Sequence, residues 1–149
     1  RYGAALQKTN PELEADGLTH LFPEADVLAN ARLNNLGIVG ARVATIRRVA
    51  RAVADGTLDF DAAVDPDAFC KTLTSIRGIG DWTAQYVAMR ALKAPDAFPS
   101  SDLGLLRAFD DEHGERIKPA ALAAMAEEWR PWRAYAALLL WSSTPTAGG

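Results

Sequence analysis

The spacing of apolar residues constrains the fold most, because they recur every three or four positions along most of the chain. The segment GARVATIRRVARAVADG places its apolar side chains along one side of a helix, at Val43, Ile46, Val49, Ala50 and Val53. Its central arginines fall outside that stripe, at Arg47, Arg48 and Arg51. Period-two alternation, typical of half-buried strands, appears nowhere at useful length. The sequence therefore predicts an all-α fold.

Glycine, proline and aspartate mark the ends of the predicted helices. The first should run from Pro23 to a stop at Gly37, and the second from residue 40 to Gly56. A third should begin at the Asp-Pro pair of residues 65–66, and a fourth should cover residues 81–92. A short helix should be opened by Asp102, and two closing helices should each take a proline as first residue, at Pro119 and Pro131.

Length and composition exclude several classes of protein. The 149 residues suit one domain or two tightly packed helical lobes, and no apolar run reaches the ~20 residues of a membrane span. The single cysteine, Cys70, excludes an internal disulfide and a four-cysteine metal or iron–sulfur site. His20 and His113 stand far apart in polar surroundings, which predicts surface or capping roles. The start at Arg1, without methionine, leads us to expect further residues upstream.

The run RGIG at residues 77–80 joins two predicted helices. Such a tight turn needs a positive φ or a close backbone approach, which glycine supplies at low cost at Gly78 and Gly80. The backbone N–H groups of residues 78–82 would then stand uncovered at a helix N-terminus, an arrangement that favours phosphate. A plain helix–helix turn is the alternative. Phosphate binding by backbone would also reconcile a nucleic-acid partner with the net charge of −3.

Asp102 and the aromatic residues are the other candidates for function. Asp102 precedes a short helix, so an N-cap is its ordinary role, and a functional carboxylate is the alternative. Trp82 and Tyr86 stand four residues apart on one helix face. Further aromatic residues crowd the C-terminal part of the chain, at Trp129, Trp132, Tyr135 and Trp141. Most tryptophans should be core residues, although rings lining a cleft could stack on a flat or cationic ligand.

Three separated segments together resemble the helix-hairpin-helix DNA glycosylase superfamily. They are L-x-x-I-x-G-I-G-x-W-T-A-x-Y, then D-A-F-P-S-S-D, then W-R-P-W-R-A-Y-A-A-L-L-L-W, and the resemblance runs from about Phe22 to Trp141. They are most similar to the DNA-3-methyladenine glycosylase II branch, which repairs alkylated DNA by base excision. The resemblance implies an all-α glycosylase helical domain with two lobes around a cleft, covering residues 1–149 with its hairpin at about 73–92.

The resemblance also implies roles for individual residues. Asp102 matches the essential aspartate, and the base pocket would be lined by Trp82, Tyr86 and Trp141. The DNA backbone would be bound at the hairpin by Gly78, Ile79, Gly80 and Thr83. The family binds a monovalent cation through main-chain carbonyls, which here would belong to Thr74, Ile76 and Ile79. No cofactor would be required beyond this structural Na+ or K+.

Position 82 distinguishes two branches of the superfamily. The strand-cleaving relatives that resemble endonuclease III carry a lysine there, which forms a Schiff base, and tryptophan cannot. The single cysteine also removes the iron–sulfur cluster of that branch. The resemblance therefore implies a monofunctional glycosylase that flips out alkylated purines, with Asp102 stabilising an oxocarbenium-like state and activating water.

Several features depart from the family pattern. Arg77 stands in place of a common proline, Ser101 replaces a second acidic residue, and Leu103 replaces an aromatic. The family's N-terminal mixed domain and its wedge helix would lie before Arg1.

The expected partner is double-stranded DNA with alkylated bases, and we expect a monomer in a bacterial cytoplasm, associated with the nucleoid. A non-catalytic helix-hairpin-helix DNA-binding module is the alternative; it would account for Gly78 and Gly80 but not for Asp102 or the tryptophans.

Overall fold

A computed structural model describes Gly3 and residues 20–33, 37–60, 65–110 and 114–143. Its helices are α1 (Ala25–Asn30), α2 (Gly40–Ala54), α3 (Pro66–Ser75), α4 (Asp81–Ala91), α5 (Leu103–Arg107), α6 (Pro119–Ala126) and α7 (Arg133–Ser143), with a 3-10 turn at Glu127–Trp129. The predicted all-α class is confirmed. Within these described ranges, no helix has the length and apolar character needed to cross a membrane.

The chain divides into two compact units, each with apolar residues at its centre. The first comprises Arg1–Asp59 and Ile76–Gly78, and the second comprises Phe60–Ser75 and Ile79–Gly149. In the first unit, α1 and α2 pack around a cluster of Ala31, Leu33 and Val43. In the second, the largest fully buried side chains are those of Phe69, Pro99, Leu105 and Leu122. Each unit therefore encloses an apolar core of its own.

The first predicted helix is wrong at its C-terminal end. It was expected to reach Gly37, but α1 ends at Asn30, and Ala31 takes an extended backbone. This conformation buries Ala31 and Leu33 against Val43, and the Arg47 side chain donates a hydrogen bond to the Ala31 carbonyl. Core packing and a charged donor thus outweigh the continuing helical pattern of the sequence.

The start of the last helix also differs from the prediction. Pro131 was expected to be its first residue, but α7 begins at Arg133. The residue before the proline, Arg130, is extended, as the proline ring favours. The chain then turns, with the Trp132 N–H donating to the Trp129 carbonyl at 2.8 Å. The starts predicted for the other closing helix at Pro119 and for the helix after Asp65 are confirmed, and the Asp65 carboxylate caps α3 through the Ala68 N–H.

The two hairpin glycines are under different constraints. Gly78 has φ +101°, and a Cβ there would lie 2.1 Å from the Thr45 hydroxyl oxygen, so both a positive φ and a close approach demand glycine. Gly80 has φ −99°, and a Cβ there would meet nothing within 4 Å. The conformational argument is therefore confirmed for Gly78 and wrong for Gly80. Gly80 is instead the N-cap of α4 and gives that helix no side-chain cap.

This contrast predicts opposite outcomes for two alanine substitutions. Gly78→Ala should lower the free energy of unfolding by about 1–3 kcal/mol, because it adds left-handed strain and displaces Thr45. Gly80→Ala, the matched control, should change it by less than about 0.5 kcal/mol. Urea unfolding followed by circular dichroism measures both, and equal losses in the two variants would contradict this account of the turn.

Candidate active site around Asp102

Asp102 occupies the N-cap of α5 and binds the first backbone groups of that helix. One carboxylate oxygen, Oδ1, accepts hydrogen bonds from the N–H groups of Gly104 at 2.9 Å and Leu105 at 3.0 Å. The capping role expected for an aspartate before a short helix is therefore confirmed. The cap fixes the direction of the carboxylate relative to α5.

Two tryptophans that are distant in sequence bind the same carboxylate. The indole Nε1–H of Trp141, on α7, donates to Oδ1 at 2.8 Å. The indole Nε1–H of Trp82, in the first turn of α4, donates to Oδ2 at 2.8 Å. Asp102 thus accepts four N–H donors, two from backbone and two from indoles. Among the described residues, three of these donors converge on Oδ1 and one binds Oδ2.

These hydrogen bonds determine the charge state of Asp102. Partial burial raises the pKa of this carboxyl, but the bonds from Trp141, Trp82, Leu105 and Gly104 outweigh it and hold the pKa below its ordinary value. Asp102 is consequently an anion at neutral pH, held by neutral donors.

Tyr86 completes an aromatic group beside the aspartate. Its ring stacks on Trp82 with a centroid distance of 5.2 Å and an interplanar angle of 7°, and lies 6.1 Å from the Trp141 ring at 58°. The side chains of Tyr86 and Trp141 are half-buried, whereas Trp82 is 39% exposed. The three aromatic residues predicted from the sequence therefore lie together with Asp102, and their role in holding a base stays a prediction.

The other tryptophans do not form a buried core. Trp129 is half-buried between Phe98 and Phe109, with centroid distances of 5.7 and 6.1 Å. Trp132 is 58% exposed and packs edge to face with Tyr135 at a centroid distance of 5.6 Å. The expectation that most tryptophans are core residues is thus wrong, because alanine, leucine and phenylalanine fill the centre of this unit.

An ion-pair network anchors the loop that precedes Asp102. Arg133, at the start of α7, binds both oxygens of Asp96 at 2.8 and 2.9 Å, and Arg130 binds the same carboxylate. Partial burial raises the pKa of Asp96, but the arginines outweigh it and lower the pKa. Further along, the Phe98 N–H donates to the Gln85 side chain at 3.0 Å. The loop is thereby fastened to α4 and α7, the helices that supply the two indoles.

Gly104 is a site residue that the sequence analysis missed. A Cβ at this position would lie 3.0 Å from Asp102 Oδ1 and 3.2–3.3 Å from the indole of Trp141. A side chain would therefore push the carboxylate and the indole apart. The available signal was a glycine inside a short helix, which costs about 1 kcal/mol relative to alanine and needs a reason.

The predicted hairpin residues occupy the turn and its flanks. Ile76, Ile79 and Thr83 are half-buried, while Gly78 and Gly80 are exposed. The Thr74 hydroxyl donates to the Cys70 carbonyl at 2.7 Å within α3. Their predicted roles toward DNA and a cation stay predictions. The described ranges contain no group of three or more His, Cys, Asp or Glu side chains suited to a metal ion, and His113 lies outside those ranges.

The indole bonds predict a measurable titration of Asp102. The pKa of Asp102 is lowered, so the carboxylate and its contribution to stability should be fully present above the ordinary carboxyl pKa of ~3.9. That contribution should be lost as the pH falls through the lower pKa of the folded protein. The indole N–H signals of Trp82 and Trp141 should therefore shift together below pH ~3.9 in NMR spectra. Those of Trp129 and Trp132 serve as internal controls. A shared midpoint above pH 5 would contradict the geometry.

Comparisons with known proteins find DNA repair enzymes that are similar to this chain. The chain is 40% identical over 126 residues to the probable bifunctional transcriptional activator/DNA repair enzyme AlkA of Mycobacterium tuberculosis, covering 85% of the chain and 25% of that protein. It is 36% identical over 123 residues to DNA-3-methyladenine glycosylase 2 of Escherichia coli, covering 80% of the chain and 42% of that protein. The chain thus spans less than half the length of these curated relatives. No protein-family model matches it.

A solved structure supports the fold. The 3-methyladenine DNA glycosylase of Schizosaccharomyces pombe, solved with abasic DNA, superposes with a TM-score of 0.75 at 21% identity, covering 85% of this chain and 65% of that one. The sequence and the fold together show that the chain belongs to the DNA-3-methyladenine glycosylases of the helix-hairpin-helix superfamily. It spans part of the length of these proteins.

Proposed function

We propose that the chain is the catalytic part of a monofunctional DNA glycosylase, which hydrolyses the N-glycosidic bond of alkylated purines such as 3-methyladenine in duplex DNA. The observation that carries this proposal is the Asp102 carboxylate, held by the indole N–H groups of Trp82 and Trp141. The curated relatives named DNA-3-methyladenine glycosylase support the same activity. A carboxylate that served only as a helix cap would need neither indole.

Asp102 would act mainly through its negative charge. Cleavage of an N-glycosidic bond builds positive charge on the sugar, which a fixed carboxylate stabilises. Oδ1 already accepts three hydrogen bonds, so Oδ2, with a single donor, is the oxygen left to face the sugar or orient water. The lowered pKa makes Asp102 a weak base. Water would therefore be oriented by Oδ2 more than deprotonated by it.

The aromatic residues suit a cationic leaving group. An alkylated purine carries positive charge, and an electron-rich ring face attracts it by about 1–2 kcal/mol when water is excluded. Trp82 is the most exposed of the three rings around Asp102 and would present itself to the flipped base. Flipping a base out of the duplex costs a few kcal/mol. The cost is smallest for a damaged base, which favours lesions over normal base pairs.

The chemistry at position 82 supports hydrolysis without strand cleavage. A lyase needs an amine nucleophile, whereas the Trp82 indole N–H is neutral and already bound to Asp102. The nearby lysines, Lys71 and Lys93, lie outside the hairpin motif.

DNA would be held at the hairpin through backbone N–H groups. The sites expected from the resemblance are Gly78, Ile79, Gly80 and Thr83. Gly80 leaves the N-terminus of α4 without a side-chain cap, as phosphate binding requires, although Asp81 places a negative charge in the same turn. The carbonyls of Thr74, Ile76 and Ile79 would hold Na+ or K+, and no other cofactor is invoked.

Base release from methylated duplex DNA tests the proposal. Asp102→Asn should slow single-turnover release by about 10²–10³-fold, because the charge is lost while the shape is kept. Trp82→Phe should give a smaller loss, since it removes one donor and keeps a ring. The product should be an intact strand with an abasic site.

Three outcomes would count against the assignment. Equal release by wild type and Asp102→Asn would reject the catalytic aspartate. Strand cleavage without added base or lyase would reject the monofunctional mechanism. DNA binding without release by the wild-type chain would favour the non-catalytic binding module instead.

A further inference from the structure

α2 carries a concentration of positive charge that the proposed chemistry does not use. Residues 40–54 include four arginines and no acidic residue, although the whole chain has a net charge of −3. One of these arginines, Arg47, binds the Ala31 carbonyl and has a structural role. Arg51 lies four residues before Asp55 and helps to lower the pKa of that carboxyl, which leaves Arg42 and Arg48 to be explained.

One of them reaches the hairpin turn directly. The Arg48 guanidinium donates to the carbonyl oxygen of Arg77 at 3.1 Å, and the Thr45 hydroxyl lies 3.3 Å from the same oxygen. Gly78 follows Arg77 and packs against Thr45. Because a carbonyl is neutral, Arg48 keeps its full charge. Its other N–H groups lie beside the turn and can donate to a second acceptor.

Arg42 belongs to the same surface, and Arg77 is itself a residue of the turn. Arg42 and Arg48 precede and follow Thr45 by three residues, so they flank it on the helix. Arg42 also lines a surface depression with Thr45 and Gly78. Arg42, Arg48 and Arg77 are all exposed, and among the described residues none of them forms a salt bridge.

Three arginines of the other unit are paired, whereas Arg90 and Arg107 form no salt bridge among the described residues. Arg130 and Arg133 are paired with Asp96 and Glu127, and Arg116 is paired with Asp110. Three guanidinium groups without a salt bridge to any described residue thus belong to the glycine turn or to the helix beside it. Their donors match phosphate oxygens in geometry and charge.

We propose that Arg42, Arg48 and Arg77 form a phosphate-binding patch that extends the DNA contact from the hairpin turn onto α2. The patch rests on the proposed function, since its ligand is the backbone of duplex DNA. Its contribution is independent of sequence and of damage, so it would hold undamaged DNA during the search for lesions. Arg48 has a second effect, because its bond to the Arg77 carbonyl helps to fix the turn.

The salt dependence of binding to an undamaged DNA duplex tests the patch. Each of Arg42→Gln, Arg48→Gln and Arg77→Gln should weaken binding about 3–10-fold near 0.1 M salt, and the negative slope of log K against log salt should become shallower by about 0.9. Arg116→Gln removes the same charge from a paired arginine and should leave the slope unchanged. Thr45→Val removes only neutral hydrogen bonds, to the Ala41 and Arg77 carbonyls, and should also leave the slope unchanged.

The outcomes separate this proposal from the glycosylase assignment. Wild-type slopes in all three glutamine variants, or an equal change in Arg116→Gln, would overturn the patch, as would a wild-type chain whose binding is independent of salt. Reduced slopes in a chain that releases no base would support the patch and reject the glycosylase. Base release with unchanged slopes would support the glycosylase and reject the patch.

Discussion

The hydrogen bonding of one carboxylate organises the second unit of the chain. Asp102 receives N–H groups from the start of α5, from Trp82 on α4 and from Trp141 on α7, so three helices meet at two oxygen atoms. A half-buried anion is costly unless its lone pairs are satisfied, and here neutral donors do this without a neighbouring cation. Gly104 has no side chain because one would occupy the space in which these groups meet.

The same arrangement explains which kind of reaction the site suits. A carboxylate that accepts four hydrogen bonds is stable as an anion and gains little from taking up a proton. It can oppose positive charge on a sugar, but it is poorly equipped to drive a demanding proton transfer. Alkylated purines leave readily because they already carry a positive charge. The site therefore fits a substrate that needs charge stabilisation more than acid–base catalysis.

Local signals in the sequence predicted much of this structure, and long-range contacts account for the errors. Helix periodicity and capping located most helices, and the resemblance of three separated segments to the glycosylase superfamily singled out Trp82, Asp102 and Trp141. The sequence could not show that α1 ends at Asn30, because that depends on Arg47 binding the Ala31 carbonyl. The need for glycine at position 78 also depends in part on a contact between distant residues, because a side chain there would collide with Thr45.

The pH dependence of base release tests the central claim, that Asp102 acts as an ionised carboxylate held by two indoles. Single-turnover release of 3-methyladenine by the wild-type chain would be followed from pH 5 to 8. The account predicts a rate without an acid limb in this range, because the lowered pKa of Asp102 keeps it ionised above pH ~4. A rate of base release that falls with decreasing pH through a midpoint between 6 and 7 would show that a carboxyl must first lose a proton. That result would contradict the claim.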